Sequence, residues 1–337
     1  MSSPQRILIV APSWVGDAVL SQPLLARLKV RFPDHAIDVL APPWTRAVYE
    51  RMAQVSAIHD LPFAHGELAL RRRYALGRSL KKHDYAACYV LPNSLKSALV
   101  PFFAGIPRRT GYVGEARWGL INDARKLDKQ ALPLMIERFA ALAEDANTGA
   151  VRALAEVSLR VDAAARDVTL QRLGLTTTKA IAVLCPGAEY GPAKRWPVEY
   201  FGALAQRFSA AGWQVWIAGS KKDAPVGDDI VKAAEGQCNN LCGKTSLAEA
   251  IDLMSCASHV VSNDSGLMHV AAALDRPLTA IYGSSSPAFT PPPSPHARIV
   301  KTGIDCSPCF ERECPLGHFK CMRELTVDTV WQEIAGR

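Results

Sequence analysis

The sequence predicts an α/β protein of two doubly wound, parallel-sheet lobes, and three observations predict it. Its 337 residues exceed what one hydrophobic core usually organises. Short β-branched runs alternate with amphipathic stretches through both halves. Several of those runs end in polar turns rich in Gly or Pro that lead into helices. With 49% apolar and 21% charged residues the chain can bury a sizeable core, which excludes a disordered protein.

In the first half, residues 6–11 read as a buried strand, 17–31 as a helix, 36–41 as a strand and 45–52 as a helix, a βαβ pattern. A basic helix over 68–82, a strand over 85–91, a short helix over 94–103 and a helix over 132–144 continue it. A helix over 162–175 and the link Thr176, Thr177, Thr178 lead to a second set. Its strands are 180–185, 214–218, 259–262 and 278–282, and its helices 198–211, 224–235, 246–256 and 266–274. A Pro-rich loop over 287–295, a cysteine cluster and a helix over 327–335 finish the chain. The expected divisions are 1–165, 176–325 and a last helix within 326–337. Two such lobes place a cleft between the carboxyl ends of their sheets, where ligands of such folds bind.

The net charge of +7 lies wholly in the first half, where 22 Lys/Arg face 15 Asp/Glu; residues 166–337 hold 17 of each. A basic first lobe suits an anionic partner, against the plainer reading of a solvated surface. The longest uncharged apolar stretch, 97–106, is about half of a bilayer span, and the apolar run after Arg6 stops at Pro12, too short for a signal peptide. The expectation is a cytosolic protein. Nine cysteines, an odd number, describe no disulfide framework. Four of them, Cys306, Cys309, Cys314 and Cys321, fall within 16 positions. That spacing suits a structural zinc, reduced thiols or a local disulfide, and its place outside the Gly-bearing loops favours structure over catalysis.

The first strand ends in Pro12-Ser13-Trp14-Val15-Gly16-Asp17, which lacks the G-x-G-x-x-G spacing of a dinucleotide site and disfavours a dehydrogenase. Asp17 stands at a helix start, as an ordinary cap or as a carboxylate able to take a proton. The loop over 185–197 carries Gly187, Glu189, Gly191, Lys194 and Arg195 ahead of a helix, a setting for a diphosphate or simply a long solvated loop. In Asn263-Asp264-Ser265-Gly266-Leu267-Met268-His269 a strand again turns into a helix. Asp264 caps it or holds a sugar hydroxyl, Ser265 and Gly266 offer N–H groups to phosphate, and His269 is a ligand contact or a core histidine. The stretch Arg71-Arg72-Arg73 to Lys81-Lys82 reads mainly as a solvated helix face, while Lys96, Arg108 and Arg109 could border an acidic acceptor.

These strings, with 90–98 and 101–107, resemble the ADP-heptose:LPS heptosyltransferases of glycosyltransferase family 9 over nearly the whole chain, most closely the group that adds the second heptose. The resemblance implies a GT-B fold, two Rossmann-like doubly wound domains facing a central cleft, with the last helix packing back on the first. It implies metal-independent transfer of L-glycero-D-manno-heptose, with inversion, from ADP-heptose to the 3-hydroxyl of the first inner-core heptose of lipopolysaccharide. Residues 1–165 would take the acceptor and 176–325 the donor. By matching position, Asp17 is the base and Lys194 the catalytic phosphate-binding cation. Gly187, Glu189, Asp264, Ser265, Gly266 and His269 would be donor contacts, Asp223 would hold the ribose, and Trp14, Asn93, Lys96 and Arg109 would face the acceptor. The implied partners are heptosyl-Kdo2-lipid A and the inner leaflet, with no nucleic acid; a structural zinc is the one metal considered. The alternatives are transfer of the first or third heptose, a GT-B nucleotide-sugar epimerase, and a non-catalytic nucleotide or nucleic-acid binding protein.

Overall fold

The computed structural model describes residues 5–64, 66–145 and 154–336. The chain forms two compact units, Met1–Val157 and Ser158–Arg337. In the first, strands β1 (Arg6–Val10), β2 (Ala36–Ala41), β3 (Ala57–Asp60), β4 (Tyr85–Val90), β5 (Arg108–Tyr112) and β6 (Asp123–Arg125) make one parallel sheet ordered β3-β2-β1-β4-β5-β6. In the second, β7 (Ile181–Cys185), β8 (Gln214–Ile217), β9 (Asn239–Asn240), β10 (His259–Asn263), β11 (Leu278–Ile281) and β12 (Ala297–Val300) are ordered β12-β11-β10-β7-β8-β9. Read from the other edge, this is the same winding. The order reverses between β1 and β4 and again between β7 and β10, and open α/β sheets bind ligands outside the carboxyl ends of the strands at such points. The motifs at 12–17, 92–96, 186–197 and 264–269 follow those four strands.

The central strands are apolar throughout, as strands covered on both faces must be. Ile7, Leu8, Ile9 and Val10 are buried in one sheet, and Ile181, Ala182, Val183 and Leu184 in the other. The helix expected over 17–31 is two, Val15–Leu20 and Gln22–Arg31. Ser21 ends the first, its hydroxyl donating to the Ala18 carbonyl at 2.7 Å, and Pro23 opens the second, where a missing N–H costs nothing. Strands β3, β5, β6, β9 and β12 are additions to the expected set. They are short or polar, and β5 carries the Arg108-Arg109 pair that reads from sequence as a border of the acceptor.

The boundary lies earlier than the expected residue 165. Leu159 N–H donates to Ala273 and Asp162 N–H to the Asp252 carboxylate, which ties the segment to the second unit. The last helix is Val327–Ala335. It lies in the second unit, with Val330 and Ile334 buried in that unit's core, Trp331 edge-on to Phe208, and Asp328 paired with Arg207. Trp196, buried in the same core, donates its indole N–H to Leu325 at 2.8 Å just before that helix.

One fully buried charge organises the amino ends of β1, β2 and β4. Asp38 accepts from Arg6 at 3.0 and 2.8 Å and from the Tyr85 hydroxyl at 2.8 Å, with His59 Nε2 at 3.5 Å. Asp38, His59 and His83 place ligand atoms within 4.8 Å of one another, but the carboxylate is already committed to Arg6 and Tyr85, so the group is scaffold. Burial alone would raise the Asp38 pKa, yet the bonds from His59, Arg6 and Tyr85 hold it at about 2, below its ordinary 3.8. A depressed carboxylate stabilises the fold above its unfolded pKa and loses that contribution as pH falls toward its folded one. Asp38→Asn should therefore cost about 2 kcal/mol at neutral pH and flatten the loss of stability between pH 4 and 2. Urea unfolding across that range checks it, and an unchanged acid limb assigns the limb to another group.

Candidate functional site

In the first unit the chain leaves β1 through Ala11 and Pro12 and enters the helix Val15–Leu20 at Trp14, its N-cap. Asp17 is thus the third helical residue and not the cap; it lies half-buried in the first turn, close enough for its charge to add to the effect of burial in raising the pKa of the buried Tyr49 phenol. Trp14 is 42% exposed, and Trp44 donates its indole N–H to the Ser13 carbonyl at 2.7 Å beside it.

After β4, Asn93 is exposed and Lys96 half-buried, and two buried arginines hold their loop. Arg117 donates to the Pro92 carbonyl at 2.7 Å, to Asn93 Oδ1 at 3.1 Å and to the Tyr112 carbonyl. Arg73 donates to the carbonyls of Leu68, Glu67 and Lys96 at 2.6, 3.1 and 3.3 Å and lies over the Phe63 ring. Burial lowers the pKa of both guanidinium groups. Sequence reasoning put Arg73 on a solvated helix face, which its burial corrects, and gave Arg117 no role, since an arginine carries no mark of burial in the sequence. Arg109, expected at the acceptor, donates to the carbonyls of Leu120, Gly119 and Ile106. Those bonds tie its guanidinium to the 106–120 backbone.

In the second unit the loop after β7 is held by a residue of β10. Asn263 is fully buried, its Nδ2 donating to the Pro186 carbonyl at 2.7 Å and its Oδ1 accepting from Trp196 N–H at 3.2 Å. Lys194, ending the single turn Pro192–Lys194, donates Nζ to Asp264 Oδ2 at 2.6 Å, with the two side chains 17% and 5% exposed. Three N–H donors on an ammonium leave two for another anion. Next to Asp264, Ser265 enters the helix Gly266–Ala273 in extended backbone, and no side chain caps that helix. Its first-turn N–H groups and dipole suit an anion. His269, one turn in, is buried, and its Nδ1 has no hydrogen-bond partner among the described residues.

Lys194, Asp264, Ser265, Gly266 and His269 thus come together. Gly187 lies on the neighbouring side of the loop, where an added Cβ would stand 2.8 Å from Asp223 Oδ2. That same oxygen accepts from the Ser220 N–H and hydroxyl at 2.9 and 2.7 Å, so Asp223 caps the turn Lys221–Asp223 at the end of β8. Glu189 is exposed and pairs with Lys222 at 2.5 Å. Ser284 and Ser285, after β11, are buried with hydroxyls that have no partner among the described residues, and the sequence reading passed over both.

The model of glycosyltransferase family 9 (heptosyltransferase) matches residues 73–320. The lipopolysaccharide heptosyltransferase 2 of Salmonella typhimurium is 43% identical over 340 residues, covering 98% of this chain and 97% of its own. The lipooligosaccharide heptosyltransferase 2 of Haemophilus influenzae is 44% identical over 307 residues, 88% of each chain. The solved ADP-heptose LPS heptosyltransferase II of E. coli superposes with a TM-score of 0.89 at 42% identity, covering 98% of each chain.

Burial holds the His269 imidazole at a pKa of about 4, against 6.5 unburied; the nearby Asp264 opposes this shift and Lys194 adds to it. The folded state then takes up that proton later than the unfolded one, so stability falls as pH drops from 6.5 toward 4, by about 3 kcal/mol at the lower end. His269→Gln should flatten this window in chemical denaturation, and a slope unchanged by the substitution would overturn the assignment.

Proposed function

The chain belongs to glycosyltransferase family 9, the heptosyltransferases, and on that premise we propose that it moves L-glycero-D-manno-heptose from ADP-heptose to the 3-hydroxyl of the first inner-core heptose of lipopolysaccharide. The observation that carries this reading is the Lys194–Asp264 pair, which joins two strand-end loops beside an uncapped helix and the unpartnered His269 nitrogen.

Transfer with inversion needs a nucleophile, a proton acceptor and a stabilised leaving group. The acceptor hydroxyl oxygen bonds to the anomeric carbon as the bond from that carbon to the β-phosphate oxygen breaks, and the bonding pair leaves with ADP. Asp17 takes the hydroxyl proton. Charge grows on the departing diphosphate, where the two remaining Lys194 donors and the N–H groups at Gly266–Ala273 neutralise it. Asp264 aims Lys194 and prevents the ammonium from turning to solvent. His269 is neutral at cellular pH and offers Nδ1 to a donor hydroxyl. Gly187 lets the Asp223 carboxylate pack against the loop backbone, and the two are assigned to the ribose side of the donor.

No resident cofactor enters this chemistry, and the part assigned to zinc at the four C-terminal thiols is structural. Trp14, Asn93 and Lys96 are assigned to the acceptor, whose Kdo and phosphate groups are anionic. No helix among the described residues is long and apolar enough to cross a membrane. Contact with the inner leaflet is assigned to the helix Leu70–Leu80, where exposed Arg71, Arg72 and Arg78 stand with exposed Leu70 and Tyr74.

The deciding measurement is ADP release from ADP-heptose in chelator, with Kdo2-lipid A carrying one heptose or none. Release only with the one-heptose acceptor is expected; release with the heptose-free acceptor moves the protein to the first transfer. Asp17→Asn should lower kcat about 10³-fold with little change in ADP affinity. Near-normal turnover would remove Asp17 from the base role. Lys194→Ala should lower kcat/KM for the donor about 10²-fold, and unchanged donor kinetics would leave the pair without a catalytic part.

A further inference from the structure

The four clustered cysteines are free thiols, and Cys306, Cys309, Cys314 and Cys321 line one cavity together with His318, Ala193 and Ser284. The backbone around them is shaped for sulfur. Phe310, directly after Cys309, has φ +60°, and Phe319, five residues after Cys314, has φ +50°, a conformation that bulky side chains rarely adopt. The turn at 314–319 points Phe319 N–H at Cys314 Sγ, 3.4 Å away. An N–H group directed at sulfur stabilises a thiolate, the form that binds metal. Four thiolates facing one cavity repel each other unless a cation lies among them.

The same loop packs on the donor side of the second unit. Ala193 N–H donates to the Arg312 carbonyl at 3.0 Å, and the Tyr190 hydroxyl donates to the Phe310 carbonyl at 2.7 Å. A Cβ on Gly191 would lie 2.3 Å from the Arg312 oxygen. The Tyr190 ring has both Arg312 and Lys194 at 5.1 Å from its centroid. On its other side the loop is tied to the end of β11, with Ser307 Oγ donating to Gly283 at 2.7 Å and Phe310 N–H to Ser284 at 2.6 Å.

We propose that Cys306, Cys309, Cys314 and Cys321 form a tetrahedral thiolate site for one zinc ion, and that zinc holds Lys194 in place through the contacts of 310–312 with 190–193. The second half of this proposal rests on the reading of Lys194 as a donor contact. A tetrahedral site holds four thiolates at Zn–S bonds of about 2.3 Å, so zinc would gather the four cavity-lining sulfurs about one centre. The ion takes no part in transfer; Lys194 is reached only through Tyr190, Gly191 and Ala193.

The test is elemental analysis of the reduced full chain purified without chelator, joined to ADP titration by calorimetry. One zinc per chain is expected. Its removal by chelator should weaken ADP binding about tenfold, with zinc restoring it. Cobalt in its place should show the sulfur-to-metal absorption of a tetrahedral thiolate site. Cys309→Ser should lose both zinc and ADP affinity. Since that variant can also misfold, Cys314→His, which keeps a zinc-binding side chain, should retain both. A trace of zinc with no uptake on titration overturns the site. Full zinc whose removal leaves ADP affinity unchanged overturns the coupling. A zinc-loaded protein that binds no ADP fails the donor reading and the coupling with it, while the metal count still judges the site.

Discussion

The second unit depends on one buried side chain. Asn263 carries an amide N–H and an amide oxygen in one group, and it meets a carbonyl at Pro186 and an N–H at Trp196, the two ends of the loop after β7. An aspartate there would set an anion against the Pro186 carbonyl, and a leucine would leave two buried polar groups unmatched at about 1–3 kcal/mol each. Because both ends are fixed to β10, the turn Pro192–Lys194 comes to rest over the residue that follows Asn263, and Lys194 meets Asp264. The ion pair is thus a consequence of the amide clamp. Its low exposure is what gives it strength, since an exposed pair of the same geometry would contribute little.

The first unit uses charge for the same purpose. Arg117 and Arg73 are buried and direct their donors at backbone carbonyls of 92–96 and 67–68, so the loop after β4 is fixed by guanidinium rather than by amide. Arg109, Arg6 and Arg125 are likewise committed, to carbonyls at 106–120, to Asp38 and to Asp123. A formal excess of positive charge therefore measures ligand-binding capacity poorly. Part of it sits in the fold, and exposed Arg71 and Arg78 of the helix Leu70–Leu80, with exposed Lys81 and Lys82 in the turn after it, are among the charges an anionic partner would meet.

This division explains what could be read from the sequence. The strand-end motifs were legible because Gly, Pro and Asp punctuate a parallel sheet where its loops leave it, and the same winding in both units carries all four motifs to switch points. The pairing of Lys194 with Asp264 was not, since 70 residues separate them and either one alone has an ordinary reading as loop cation or helix cap. Asp17 illustrates the limit of local rules: a favoured capping residue stands two positions inside the helix, because Trp14 takes the boundary. Asp223 is the converse, a residue read from sequence only as a ligand contact whose carboxylate closes a capping box. The last helix showed its apolar face in the sequence, but an amphipathic pattern names no partner, and the partner is Phe208 and the core around it.

Gly191 joins these threads. Its φ of 162° is extended backbone open to any residue, so conformation does not explain it. Space does: the Arg312 carbonyl occupies the position a side chain would need, and Ala193 N–H bonds to that same oxygen. Two segments about 120 residues apart therefore pack as one layer, and the orientation of Lys194 reflects three constraints at once. Asp264 attracts its ammonium, the Tyr190 ring bounds it, and the cysteine loop fixes Tyr190 by accepting its hydroxyl and stacking Arg312 on its ring. Removing any one returns part of a rotamer freedom worth up to about 2 kcal/mol for a free lysine, which an anion meeting that ammonium would then have to order.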